Sequence, residues 1–198
     1  MSQFVESIQL CEGEFKRLEL HQQRLNAAFE EFYPTLKGFS LEEVLCQSDF
    51  PKVGLFKCRV EYDEKVRLVE YVPYTMREVR SLKLVPTTLP CVQYKMADRT
   101  VLNELYAQRG QCEDILMVRD GLLTDTWAAN VALYDGEKWH TPREPILMGT
   151  SRAALIADGQ IVESDIRVMD LMNFKRIRLF NAMIAFGQLE LDVSSICK

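Results

Sequence analysis

Residues Gly121–Arg152, GLLTDTWAANVALYDGEKWHTPREPILMGTSR, set an acid, an amide, a Thr-Pro turn and a Gly-Thr-Ser helix entry among residues that otherwise read as strand. A plain core strand gains nothing from polar groups placed singly in this way. A preformed small-molecule site needs them, as a few orienting contacts between apolar walls. Asp120-Gly121 and Asp135-Gly136 are turn signals that separate strands expected at Ile115–Val118, Leu122–Thr124 and Asn130–Tyr134. At the far end, Gly149-Thr150-Ser151-Arg152 precedes Ala-Ala-Leu-Ile-Ala, so Thr150 or Ser151 is expected to cap a helix over Ser151–Ala157. The unpaired N–H groups and partial positive charge of a helix start suit a phosphate. A Ser/Thr cap on a surface helix, however, needs no ligand at all.

Downstream of this stretch, Ile161–Ile166 and Ile177–Phe180 read as strands, the second running into Asn181. Upstream, Val92–Lys95 is extended, and Asp98 can cap a helix from Arg99 to Gln108 that stops at Gly110. Pro86-Thr-Thr-Leu-Pro90 interrupts both strand and helix patterns, which places a junction there and divides the chain into lobes 1–86 and 87–198. In the first lobe Phe4–Leu10 alternates at period two, turns at Glu12-Gly13 and returns through Phe15–Leu18. The period then changes. Leu20, Leu25, Ala28, Phe29 and Phe32 fall near helical spacing and Pro34 ends the run, predicting a helix over Glu19–Tyr33 with His21, Gln22 and Arg24 on a solvated polar face. Ser40–Cys46 reads as a short helix with Ser40 as cap and Glu43 at the capping-box position. Strands follow at Gly54–Tyr62, Val66–Tyr74 and Val79–Val85. This order of elements gives an α+β fold with an antiparallel sheet in the first lobe.

Bulk properties narrow the function classes. The 198 residues, 47% hydrophobic and 27% charged, describe a globular chain rather than a disordered or fibrous one. A net charge of −5 with no basic run speaks against nucleic acid as a partner. The first residues lack the basic-then-apolar pattern of a signal peptide, and no apolar run approaches the roughly 18 residues of a spanning helix, so no membrane partner is expected. Six cysteines without a C-x-x-C pair read as reduced thiols and a cytoplasmic location. His21 and His140 have no ligand at i+3 or i+4, so no metal is expected. Lys95 differs from the other lysines in following a strand-like Val-Gln-Tyr at the entry to the second lobe. If desolvated there it can act as a nucleophile or form a Schiff base; otherwise it is a strand-end lysine pointing to water.

Taken in order, Glu6-Ser-Ile8, His21-Gln-Gln-Arg24-Leu25, Lys95 ahead of Asp98-Arg99, Gly121 to Asn130, Thr141-Pro142 and Gly149-Thr-Ser-Arg152 resemble the class IV aminotransferases, the fold-type IV pyridoxal-phosphate enzymes. Each motif is short; their joint occurrence in one order, over most of the chain, is specific. The resemblance implies a two-lobe α+β fold like that of D-amino acid aminotransferase, with a small antiparallel N-terminal lobe and a pseudo-barrel C-terminal lobe. It also implies pyridoxal 5'-phosphate as cofactor, a small amino substrate and a homodimer.

Carried over by residue, the resemblance makes Lys95 the lysine that holds the cofactor covalently and moves the α-proton. Asp125, where the family usually has Glu, faces the pyridine nitrogen and keeps it protonated, with Asn130 beside it in the motif. Thr150 and Ser151 match the contacts to the cofactor phosphate, and Arg24 matches the arginine that pairs with it. Leu147 matches a residue packed on the ring, and Asn181 and Ala182 the loop closing the phosphate side. Arg59, Arg77 and Arg80 either meet a substrate carboxylate, across a dimer interface, or form cross-strand pairs with nearby glutamates.

Two features depart from the family: Asp in place of Glu at 125, and Phe4-Val-Glu6-Ser-Ile8 at the very start, where relatives usually have an extra strand and a Tyr-Gly-Asp-Gly loop. The second is expected to leave part of the substrate pocket missing or rebuilt. With Ala128-Ala129-Asn130, it looks closer to the 4-amino-4-deoxychorismate lyases than to aminotransferases acting on branched-chain or D-amino acids. A non-catalytic cofactor-binding relative is the third reading.

Overall fold

The period-two alternation at the start of the chain is realised as β1 (Phe4–Cys11), whose residues Phe4, Glu6, Ile8 and Leu10 are fully buried. β1 turns through Glu12 and Gly13, both at positive φ, into the two-residue β2 (Glu14–Phe15). α1 (Leu18–Phe32) and α2 (Leu41–Cys46) follow, the latter capped by Ser40 Oγ accepting from the Glu43 N–H at 3.2 Å. β3 (Leu55–Tyr62) pairs antiparallel with β1, and β4 (Val66–Pro73) with β3, so the sheet runs β2-β1-β3-β4. The expected helix–sheet arrangement of this part is present. Its core gathers Phe4, Ile8, Leu25, Phe29, Leu41 and Tyr62.

One expectation for α1 is corrected. His21 and Arg24 do not face solvent: they are 0% and 8% exposed and lie on one stripe with the buried Leu25, Ala28 and Phe29. Residues three, four and seven apart share a helix face, so the stripe that buries Leu25 and Ala28 also buries His21.

This computed structural model, which describes residues 3–197, divides into two units. The first is the chain up to Met76 together with Gln93–Asp98; the second is Arg77–Val92 and everything from Arg99 onward. Gln93–Asp98 belongs to the first unit because it lies along β1: the Val5 N–H donates to the Lys95 carbonyl at 2.9 Å and the Ala97 N–H to the Gln3 carbonyl at 3.0 Å. The junction expected at Pro86–Pro90 falls inside the second unit, since the strand ending at Pro86 pairs with residues Asp114–Val118.

In chain order the second unit contains β5 (Leu82–Pro86), α3 (Thr100–Ala107), β6 (Asp114–Arg119), β7 (Leu122–Thr126), β8 (Asn130–Tyr134), β9 (Trp139–Pro142), α4 (Thr150–Ala157), β10 (Val162–Ser164), β11 (Arg176–Phe180), β12 (Glu190–Asp192) and β13 (Ile196–Cys197). They build two sheets, β13-β5-β6-β7 and β10-β9-β8-β11-β12. Strands β5 and β6 are parallel and joined through α3, as β9 and β10 are through α4. A parallel pair needs such a crossover. The result is mixed α+β, with strands β9, β12 and β13 unforeseen. No helix among the described residues is long and apolar enough to cross a membrane.

Candidate active site

In the second unit the polar residues of Gly121–Arg152 converge. β7 ends in Asp125-Thr126, and a tight turn held by the Thr126 N–H donating to the Ala129 carbonyl at 2.9 Å brings Asn130 back at the head of β8. The Asn130 amide then donates to Asp125 Oδ1 and to the Leu147 carbonyl, each at 2.9 Å, while the Leu147 N–H donates to Asp125 Oδ2 at 2.9 Å. Asp125 is 4% exposed and Asn130 6%. Burial pushes the Asp125 carboxyl up to about 6 from 3.8, against the opposing pull of the Leu147 N–H, the Asn130 amide and the Arg152 charge. It is thus a rigid, buried acid whose ionised form is held by hydrogen bonds, while the nearby Arg152 is paired with Glu163, a situation that favours a cationic N–H partner.

Gly149 makes this arrangement possible. A Cβ there would sit 2.1 Å from Asn130 Oδ1, inside contact distance. Gly149→Ala is therefore expected to rotate the Asn130 amide off both Asp125 and Leu147 and to destabilise the protein by about 1–3 kcal/mol. Thermal denaturation of the variant beside wild type measures this; an unchanged melting temperature would mean that the two chains can separate without cost.

Gly149, rather than Thr150 or Ser151, is the N-cap of α4. Thr150 and Ser151 occupy its first turn, 4% and 6% exposed, where backbone N–H groups have no acceptor within the helix. The entry is anchored by Arg152, to which no role is expected from the sequence. Its Nη2 donates to the Pro142 carbonyl at 2.9 Å and to Glu163 Oε1 at 2.6 Å, tying α4 to β9 and β10. Asn181 donates to the Ala128 carbonyl at 2.9 Å and accepts from the N–H groups of Met183 and Ile184, so it fastens its own loop to the β7–β8 turn. Leu147 contributes its backbone to Asp125 and its side chain is half-buried.

In the first unit Lys95 is half-buried and its Nζ donates to Ser7 Oγ at 3.0 Å. Nearby on β1, Glu6 accepts from Arg24 Nε at 2.9 Å, from Arg24 Nη2 at 2.5 Å and from His21 Nδ1 at 2.5 Å. Burial alone would raise the Glu6 carboxyl, but Arg24 and His21 outweigh it and hold it down at about 2, from 4.5. A depressed carboxylate contributes stability that is fully present above its unfolded pKa and lost as pH falls through the folded one. The first unit is accordingly expected to lose stability between pH 4.5 and 2, and Glu6→Gln to flatten that limb of an acid titration followed by circular dichroism.

The three arginines proposed for a carboxylate all meet protein acids. Arg59 pairs with Glu61 and, across strands, with Glu70 at 3.0 Å. Arg77 donates to Asp114 Oδ2 at 2.5 Å, and Arg80, 77% exposed, pairs with Glu78.

Comparison with known proteins bears on the family and the fold. The family described as amino-transferase class IV matches residues 65–189. An uncharacterised protein of Haemophilus influenzae is 31% identical over 182 residues, 90% of this chain and 96% of that protein. A structure from Haemophilus somnus 129pt, named "putative 4-amino-4-deoxychorismate lyase", superposes with a TM-score of 0.87 at 31% identity, covering 93% of this chain and 98% of its own. A hypothetical aminotransferase of Mycobacterium tuberculosis in its pyridoxal-phosphate-bound form shares the fold, with a TM-score of 0.71 at 18% identity over 95% of this chain and 80% of that one. The motifs, the two-unit α+β architecture with its sheets, and these matches agree: the chain belongs to the class IV amino-transferase family and has the fold-type IV fold.

Proposed function

We propose that this chain is a pyridoxal-phosphate-dependent lyase that converts 4-amino-4-deoxychorismate to 4-aminobenzoate and pyruvate. The observation that carries the cofactor half of this reading is Asp125, a buried carboxylate pinned by Asn130 and Leu147. The residues present fit the cofactor: a protonated ring nitrogen would give the buried Asp125 carboxylate a directly paired cation, and the α4 entry at Gly149–Ser151 offers N–H groups to a phosphate. When bound, pyridoxal phosphate supplies an electron sink for the pair released as the α-proton leaves. Asp125 keeps the ring nitrogen protonated. Arg24 pairs with the phosphate, alongside Thr150 and Ser151. The Lys95 amine, positioned by Ser7, carries the cofactor and moves the proton.

The lyase assignment is supported by the likeness to the Haemophilus somnus protein, at 31% identity over nearly the whole of both chains. Elimination of pyruvate needs no second keto acid. The competing reading is an aminotransferase, supported by the fold shared with proteins named aminotransferases. Purified protein loaded with cofactor is given 4-amino-4-deoxychorismate, and separately a panel of branched-chain and D-amino acids with keto-acid acceptors. Formation of 4-aminobenzoate is the expected result. Turnover of the panel alone would replace the lyase reading by the aminotransferase one, and a cofactor band without turnover of either would make the chain a binding protein.

A further inference from the structure

Glu6, His21 and Arg24 are three ionisable side chains in the interior of the first unit, 0%, 0% and 8% exposed, drawn from two elements, β1 and α1. The shortest contacts set the hydrogen-bond roles: His21 Nδ1 lies 2.5 Å from Glu6 Oε2 and 3.4 Å from Arg24 Nη2. An ionised carboxylate only accepts, and the Glu6 oxygens face Arg24 Nε, Arg24 Nη2 and His21 Nδ1. His21 must then carry a proton on Nδ1. Arg24 is gripped by its Nε–Nη2 edge, and Nη1 is the nitrogen that lies off this edge. His21 and Arg24 are three residues apart on α1, so the helix and the strand together set the plane and the rotation of the guanidinium.

We propose that Glu6 and His21 are positioning residues that aim Arg24 Nη1 at the phosphate of the cofactor. This rests on the reading of Arg24 as the phosphate-pairing arginine given above. The alternative is a buried ion pair that only holds β1 to α1. The two differ in one respect: a positioning role acts on the phosphate and spares the aldehyde.

Pyridoxal and pyridoxal 5'-phosphate share the aldehyde that reacts with a lysine and differ in the phosphate, so the ratio of their affinities isolates it. Both are titrated into wild type and Glu6→Gln, following the visible absorbance band. The Gln amide puts N–H groups where Arg24 or His21 donates, so the guanidinium must turn. Pyridoxal phosphate is expected to bind about tenfold more weakly, the value of a lost charge-assisted hydrogen bond, with pyridoxal binding unchanged. Equal weakening of both, or of neither, overturns the proposal and leaves a structural ion pair. A wild-type protein that forms a band with neither aldehyde overturns the cofactor reading itself, and the positioning role with it.

If Glu6→Gln does not fold, the comparison moves to His21. His21→Gln can still donate to Glu6 and is expected to keep the wild-type ratio, whereas His21→Leu, which cannot, is expected to lower it. Identical ratios for the two His21 variants would count against positioning.

Discussion

Lys95→Ala is expected to abolish turnover, by about 10⁴-fold or more, and to remove the visible band formed with pyridoxal phosphate, while leaving the fold intact. The reason for the second half is structural. Lys95 is held in the first unit by its main chain, through its carbonyl and the Val5 N–H, and by the neighbouring Ala97 N–H on Gln3; none of these uses the side chain. Truncation deletes the half-buried Nζ contact to Ser7 Oγ, a hydrogen bond whose loss costs about 1 kcal/mol. A melting temperature close to wild type, together with a lost band and lost product, is the expected pattern. A variant that keeps its band would show that another group holds the cofactor, and one that still yields 4-aminobenzoate would end the assignment of Lys95 as the amine that moves the proton. Ser7→Ala is a milder companion. It removes the acceptor without touching the amine, and is expected to lower the rate with the band retained, since the amine remains but is no longer held in one direction.

How much of this was legible in the sequence depends on whether the signal was local. The β1–β2 hairpin, the Ser40 cap and the strand–turn–strand of Asp125 to Asn130 are written in neighbouring residues, and the structure places them close to expectation, except that β2 ends at Phe15 and Leu18 already belongs to α1. The helix entry at Gly149 was visible too, but the choice of cap was not, because Gly149 is dictated by the distant Asn130 side chain. The grouping of β5 also depends on a distant partner. Pro86 and Pro90 break local pattern, yet β5 is assigned to the second unit by its parallel partner β6, which lies beyond a helix in sequence. For α1, His21 and Arg24 were read as polar and therefore solvated. The spacing of His21 with Leu25 and Ala28 already placed it on the apolar stripe; what the sequence did not display was its pairing with Glu6, the acid on the facing strand β1 that makes such burial possible. His140, discounted as a metal ligand, turns out to link Asp135 and Ser164 at 2.8 Å each, tying the β8–β9 turn to β10 through residues that no local motif connects.

Asp125 is expected to show its role twice, in rate and in the pH dependence of stability. Asp125→Asn removes the carboxylate that would keep a ring nitrogen protonated, and turnover is expected to fall on the order of 10²–10³-fold, the usual effect of deleting one preorganised electrostatic partner. Asp125→Glu keeps the charge and is expected to lose less, since it only lengthens the arm.

The stability effect follows from burial. In the cofactor-free protein the Asp125 carboxyl is raised to about 6 from 3.8. A group raised in this way contributes stability that is fully present below its unfolded pKa and lost as pH rises through the folded one. Cofactor-free wild type is therefore expected to lose about 2 kcal/mol relative to Asp125→Asn between pH 4 and 7, a window above most of the one governed by Glu6. Referring wild type to the variant cancels the other titrating groups. A bound partner with a cationic N–H stabilises the ionised carboxylate, so adding pyridoxal phosphate should erase the difference in slope. Denaturant titrations at pH 4 and 7, with and without cofactor, read this directly. Equal slopes without cofactor would mean that Asp125 is ionised at little cost. A slope that the cofactor leaves untouched would mean that the ring nitrogen does not meet this carboxylate, and the cofactor would then have to be oriented by Lys95, Arg24 and the α4 entry.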